Sequence, residues 1–86
     1  MEKISVVMAV YNEPFRMIEE AMESIFNQTY KNIELIVVLD NPNNKELYSF
    51  LLQYGNKIKL LVNKENKGLP YSLNAGIAAA SGNIIA

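Results

Sequence analysis

Asp40 is the side chain of this sequence best placed to do chemistry. It closes the apolar run Ile33 to Leu39. Its carboxylate could accept a hydrogen bond from a base or a ribose hydroxyl, or carry a metal ion. The competing reading is a turn or cap, because Asp40-Asn41-Pro42-Asn43-Asn44 is strong turn chemistry. Tyr11-Asn12-Glu13 closes an earlier run, Ile4 to Val10, in the same way. Tyr11 offers an aromatic face to a flat ring, or else supports its own loop half-buried. Glu13 could bind a hydroxyl, or simply complement the positive end of a following helix. A third group is Asn63-Lys64-Glu65-Asn66-Lys67-Gly68-Leu69-Pro70, which combines amides, lysines, a glycine permitting φ > 0 and a helix N-terminus able to face an anion. Lys64 and Lys67 could meet phosphates or be solvated surface lysines. Asn74 falls inside the helix that follows, where an amide is costly unless it reaches something polar.

These groups are positioned by alternating elements. Ile4 to Val10 is β-branched and nearly continuous in apolar character, as in a strand buried on both faces of a parallel sheet. Ile33 to Leu39 and Ile58 to Val62 predict a second and third strand, and Asn83-Ile84-Ile85-Ala86 predicts the opening of a fourth. Phe15, Ile18, Met22, Ile25 and Phe26 share one helical face, with Asn12 or Glu13 as cap and Pro14 in the first turn. Leu47, Phe50, Leu51 and Tyr54 form a second stripe, capped by Asn43 or Asn44 and stopped by Gly55. Leu73, Ile77, Ala78 and Ala80 form a third, opened by Pro70 and closed by Gly82. The order β-α-β-α-β-α-β implies a parallel sheet with right-handed crossovers, part of a doubly wound, Rossmann-like α/β fold. Ligands bind such sheets beyond the carboxyl ends of the strands, where Tyr11, Asn12, Glu13 and Asp40 would lie.

The composition removes several function classes. The chain has 86 residues, 8 basic and 9 acidic, so a nucleic-acid footprint or polybasic membrane patch is unsupported. It has no cysteine and no histidine, which leaves only oxygen ligands for a metal and favours Mg²⁺ or Mn²⁺. The N-terminal run is too short and strand-like for a signal peptide, and no apolar stretch approaches the ~20 residues of a membrane span. A cytoplasmic location is the expectation. A strand beginning after Gly82 would leave a sheet edge uncovered, and the chain is short for a domain, so a fragment of a longer protein is expected.

Glycine placement narrows the nucleotide folds. No Gly-x-Gly-x-x-Gly and no lysine-bearing phosphate loop follows the first strand, so neither a dinucleotide cradle nor a P-loop is supported. A receiver domain would need an acidic pair where Tyr11-Asn12 stands. If Asp40 were nevertheless a phosphoacceptor, acetyl phosphate would label it.

Taken in order, the blocks Ser5 to Glu13, Ser24-Ile25-Phe26-Asn27-Gln28-Thr29-Tyr30, Glu34 to Asp40, Asn66 to Ile77 and Ala80 to Ala86 resemble family 2 glycosyltransferases over the whole chain. The resemblance implies a GT-A fold, with residues 1–86 as its N-terminal nucleotide-sugar-binding part, cut before the Asp-x-Asp motif. It implies that Ala9 and Tyr11 line the base, that Glu13 lies near the nucleoside, and that Asp40 bonds the base, with uracil N3–H as the expected donor. Asn66, Lys67 and Gly68 would border the nucleotide pocket, with Asn74 behind it.

The family often has Asp-Asp-Gly-Ser where this chain has Leu39-Asp40-Asn41-Pro42, and Arg where Leu73 stands. The resemblance further implies inverting transfer from a UDP-sugar to a saccharide or lipid-linked acceptor, with membrane-surface association through the missing part. No catalytic or metal-binding residue is expected within these residues; Mg²⁺ or Mn²⁺ would serve the full-length enzyme, and the piece alone would be inactive. The alternative is a non-catalytic nucleotide-binding or interaction module, which an Asp-x-Asp encoded soon after Ala86 would argue against.

Overall fold

A computed structural model of the chain describes residues 2–85. Among these, strands β1 (Ile4–Val10), β2 (Ile33–Leu39), β3 (Lys59–Val62) and β4 (Asn83–Ile85) alternate with helices α1 (Phe15–Phe26), α2 (Lys45–Leu52) and α3 (Leu69–Ala79), in the expected order. The strands form one parallel sheet in the order β3-β2-β1-β4. The chain winds outward from β1 to β3, and α3 then returns it to the other side of β1. The strand order therefore reverses at β1, the kind of position where open α/β sheets leave a ligand crevice.

The register assigns each face its helices. Val6 pairs with Leu35, Met8 with Val37 and Val10 with Leu39. This face meets Ile18 and Met22 of α1 and Leu47 and Leu51 of α2. On the other face Val7, Ile36 and Val38 pack with Leu73 of α3 and with Leu61 and Ala80. Central β2 is covered on both sides, with Leu35 to Leu39 at most 2% exposed, as a continuous apolar run requires. β1 is covered less evenly, with Ser5, Val7 and Val10 buried and its other residues partly open. Gly76 lies in α3 directly over Val7, and a Cβ there would run into the Val7 side chain. The helix can approach the sheet closely only without that atom.

Several expected boundaries shift for local reasons. Neither Asn12 nor Glu13 caps α1; Pro14 occupies the cap position and its carbonyl accepts from Met17 and Ile18. Asn44 does cap α2, its Oδ1 accepting from Leu47 N at 3.1 Å. That helix ends at Leu52, and Gly55, at φ +56°, opens a short 3-10 turn through Lys57 rather than stopping the helix. Ile58 precedes β3 and is buried beside α2. Helix α3 ends at Ala79, three residues before Gly82, whose missing side chain instead lets the chain pass against the Lys3 carbonyl. Ala86, expected in the fourth strand, lies outside the described residues.

At the amino edge of the sheet, Glu34 gathers the chain leaving α3. Its Oε1 accepts from Ser5 Oγ at 2.8 Å and from Ser81 N at 3.0 Å, and Gly82 N donates to Ser5 Oγ at 2.9 Å. The Ser81 N–H is the leading cause that holds the Glu34 carboxyl below its usual range; burial opposes it, while the Ser5 and Ser81 hydroxyls and the Lys3 charge assist.

Candidate functional site

The carboxyl edge is built around Asp40. Its backbone continues the ladder beyond β2, with Asp40 N donating to Val10 O at 2.8 Å and Asn63 N donating to Leu39 O at 2.9 Å. Asp40 and Asn63 therefore stand side by side, one step past their strands. The Asp40 side chain, only 6% exposed, accepts from Asn63 Nδ2 at 2.7 Å and Lys67 N at 2.8 Å through Oδ1, and from Gly68 N at 2.8 Å through Oδ2. The second hydrogen of the Asn63 amide goes to Ser72 Oγ at 2.9 Å. The Lys67 N–H is the leading cause that keeps the Asp40 carboxyl below its ordinary range; burial opposes it, and Asn63, the Gly68 N–H and Ser72 reinforce it.

This arrangement settles what faces the start of α3. Consecutive N–H groups ahead of a helix make an anion cradle, and here the anion is Asp40 itself. Gly68 reaches the required backbone shape at φ +90° and ψ 166°, a region essentially restricted to glycine. Its N–H is shared with Asn66 Oδ1 at 3.2 Å. The Lys67 side chain turns away from Asp40, pairing with Glu65 at 2.7 Å and lying 5.6 Å from the Tyr71 ring centre.

Beside Asp40 lies a cleft of about 200 Å³ lined by Ala9, Val10, Tyr11, Glu13, Asp40, Leu69 and Ser72. The fold thus brings Ala9, Tyr11, Glu13 and Asp40 together from the ends of two neighbouring strands. Tyr11, 46% exposed, keeps an accessible ring. Glu13 folds back so that its Oε1 accepts from Tyr11 N at 2.7 Å and Asn12 N at 3.1 Å, which fixes the loop by a route the helix-capping reading did not foresee. Asn12 Oδ1 in turn accepts from Asn44 Nδ2 at 2.9 Å, tying this loop to the start of α2.

Lys67 and Gly68 meet Asp40 only through their backbones, Asn66 braces Gly68, and none of the three lines the cleft. Asn74 is exposed on α3 and is likewise not among the lining residues. Ser72 was not expected in the site, and Asn63 and Leu69, which belong to the stretch singled out between the third strand and third helix, were given no individual role there. Asn63 could have been found from its place directly after a strand, matching Asp40; Ser72, a small hydroxyl on an apolar helix, carries no comparable signal. Among the described residues no group of three acids is arranged to hold a metal ion. Nor is any helix among them long and apolar enough to cross a membrane.

Residues 5–86 match the model of glycosyl transferase family 2. The chain belongs to that family. An uncharacterized glycosyltransferase of Methanocaldococcus jannaschii is 44% identical over 96% of this chain and 30% of its own length. EpsE of Bacillus subtilis, which carries a glycosyltransferase name, is 41% identical over 98% of this chain and 31% of its own. The chain thus spans about a third of these curated relatives. Among solved structures, a mannosyltransferase from Pyrobaculum calidifontis, in complex with GDP-Man and Mn²⁺, superposes with a TM-score of 0.76 at 23% identity, covering 94% of this chain and 25% of its own. At that identity the likeness establishes the fold. This family 2 chain has a parallel sheet of GT-A, Rossmann-like architecture.

Proposed function

We propose that residues 1–86 form the nucleoside-binding part of a longer enzyme that transfers a sugar from a nucleoside-diphosphate sugar to a saccharide or lipid-linked acceptor, with inversion. The observation that carries this reading is the cleft at the strand-order reversal, lined by Tyr11, Glu13 and Asp40. Its volume of about 200 Å³ is below the ~300–1,000 Å³ usual for a whole ligand site, which suits one part of a ligand, such as a nucleoside. The Tyr11 ring offers a stacking face to the base. Among the described residues Glu13 Oε2 has no protein donor, so it is open to a ribose hydroxyl.

Asp40 selects the base. An ionised carboxylate has about four acceptor sites, and Oδ2, with one N–H donor, keeps spare capacity. Such an acceptor fits a base edge carrying an imino N–H, as in uracil or guanine, and repels the bare ring nitrogen of cytosine. UDP-sugars are our proposed donors, and the GDP-Man of the solved mannosyltransferase has an edge of the same kind. The described acids offer no cluster for a metal. A divalent cation, which would neutralise the leaving diphosphate, is accordingly assigned to acids elsewhere in the longer protein, together with the base that deprotonates the acceptor.

Calorimetric titration of the longer protein with UDP, GDP and CDP tests this reading. UDP or GDP should bind tighter than CDP. In Asp40→Asn the Oδ1 position, which accepts two N–H groups, keeps an oxygen; the amide nitrogen takes the Oδ2 position, gives up the bond from Gly68 N, and the preference moves toward CDP. Equal affinity for all three nucleotides in the unaltered protein would sink the proposal.

A further inference from the structure

Asn63 and Ser72 hold Asp40 from behind. Both are buried, at 8% and 0% exposure, and Asn63 is not among the residues lining the cleft. The carboxylate of an aspartate turns easily about its last torsion, and two of its donors, Lys67 N and Gly68 N, belong to a surface loop. Asn63 is different, because its backbone is bonded into the end of the sheet through Leu39 O. Its amide is planar, so once one hydrogen is committed to Ser72 Oγ the direction of the other is fixed, and it points at Asp40 Oδ1. Among the described residues no buried side-chain polar atom is left without a partner, so each buried polar atom of the triad is bonded at least once.

From this geometry we infer that Asn63 and Ser72 are positioning residues that pin Asp40 through Oδ1, leave Oδ2 as the oxygen offered to the cleft, and thereby set which base edge the site accepts. The inference rests on the cleft being a nucleoside site. Asn63 contacts Asp40 and stands away from the cleft, while Ser72, which also lines the cleft, acts on Asp40 through Asn63. Without the pin, the carboxylate turns about its last torsion, Oδ2 loses its fixed aim, and the advantage of an imino N–H over a bare ring nitrogen shrinks.

The test is the ratio of UDP or GDP affinity to CDP affinity, measured by calorimetry on the longer protein alongside its melting temperature. Asn63→Ala should weaken binding of the preferred nucleotide about tenfold, the loss expected for one hydrogen bond to a charged group, while CDP changes by less than about twofold on the same scale. The ratio therefore collapses, and Asn63→Ser, which restores a short donor, recovers part of it. Ser72→Ala, a smaller change that frees one amide hydrogen, should lower the ratio about threefold and carries the test if Asn63→Ala fails to fold. Equal weakening of all nucleotides with a preserved ratio would mean a structural role only and would overturn the inference. The two levels separate cleanly. If Asp40→Asn leaves the ratio unchanged, the base reading fails; if Asp40→Asn alters it and neither Asn63→Ala nor Ser72→Ala does, the positioning role alone fails.

Discussion

Glu34 and Asp40 stand at opposite ends of β2, on the same face of the sheet, and each accepts backbone N–H groups from one end of α3. Asp40 receives Lys67 N and Gly68 N just before the helix begins. Glu34 receives Ser81 N just after it ends. The crossover is thus anchored twice to one strand by the same chemistry, and the Asp40 end lines the cleft described above. Position makes the difference. At the start of a helix a negative charge meets the positive end of the peptide dipoles, while at the far end it meets the negative end. Cations gather at that end: Lys3, whose charge acts on Glu34, donates through Nζ to Ser81 Oγ at 3.0 Å, and Lys59 Nζ donates to the Ala79 carbonyl of the helix end at 2.9 Å. Under the proposed function the carboxylate at one strand edge serves as a binding group, while its twin at the other edge remains a fastener.

The sharpest way to break this symmetry is Asp40→Ala. It removes the acceptor of three N–H donors at once, leaves Asn63 half-satisfied, and frees the loop ahead of α3. Thermal denaturation should show a fall of roughly 10 °C, and nucleotide binding should be lost. Glu34→Gln should cost about half of that, roughly 5 °C, and leave UDP or GDP affinity unchanged in calorimetry, because the helix start stays seated. A drop in affinity comparable to that of Asp40→Ala would show that the two ends of α3 act as one unit.

Acid titration separates the pair further. Both carboxyls are held below their ordinary values in the fold, so between the lowered and the ordinary values the unfolded chain binds more protons, and stability rises with pH there. Each contribution is complete above the unfolded values of about 3.9 for Asp and 4.3 for Glu and disappears as pH falls through the lowered ones. Asp40→Asn and Glu34→Gln should each flatten the acid limb of a melting-temperature profile below about pH 4.5, and the double variant should flatten it most. The smallest effect belongs to an acid with no N–H donor from another element. Glu20 pairs with Arg16 at 3.3 Å on the surface of α1, the side chains 70% and 89% exposed. Arg16→Ala should change stability by less than about 0.5 kcal/mol, and a larger shift in urea unfolding would overturn that ranking.

The strands, the helices and the ordered family blocks were legible because each is a local pattern. Asp40 stood out for the same reason, an acid directly after an apolar run. Its actual partners were not legible. Asn63 and Ser72 reach it across 23 and 32 positions only once β2 and β3 are in register and α3 is seated, which no local window contains. Glu13 misled in a related way: its place before a helix suggests a cap, but the short return to Tyr11 N and Asn12 N competes successfully for the same carboxylate. Lys67 was open between a phosphate contact and a surface lysine; its ammonium meets Glu65 and the Tyr71 ring, and its backbone N–H reaches Asp40.

Gly76 offers a handle that never touches the cleft. It lies one helical turn beyond Ser72, and the missing Cβ sets how deep α3 rests on Val7. An alanine there would act like a shim under one end of a beam. By tilting the helix it would draw the Ser72 hydroxyl away from Asn63 and loosen Asp40. If Asp40 reads the base as proposed, random variation or laboratory selection could retune donor preference from a residue that lies outside the cleft.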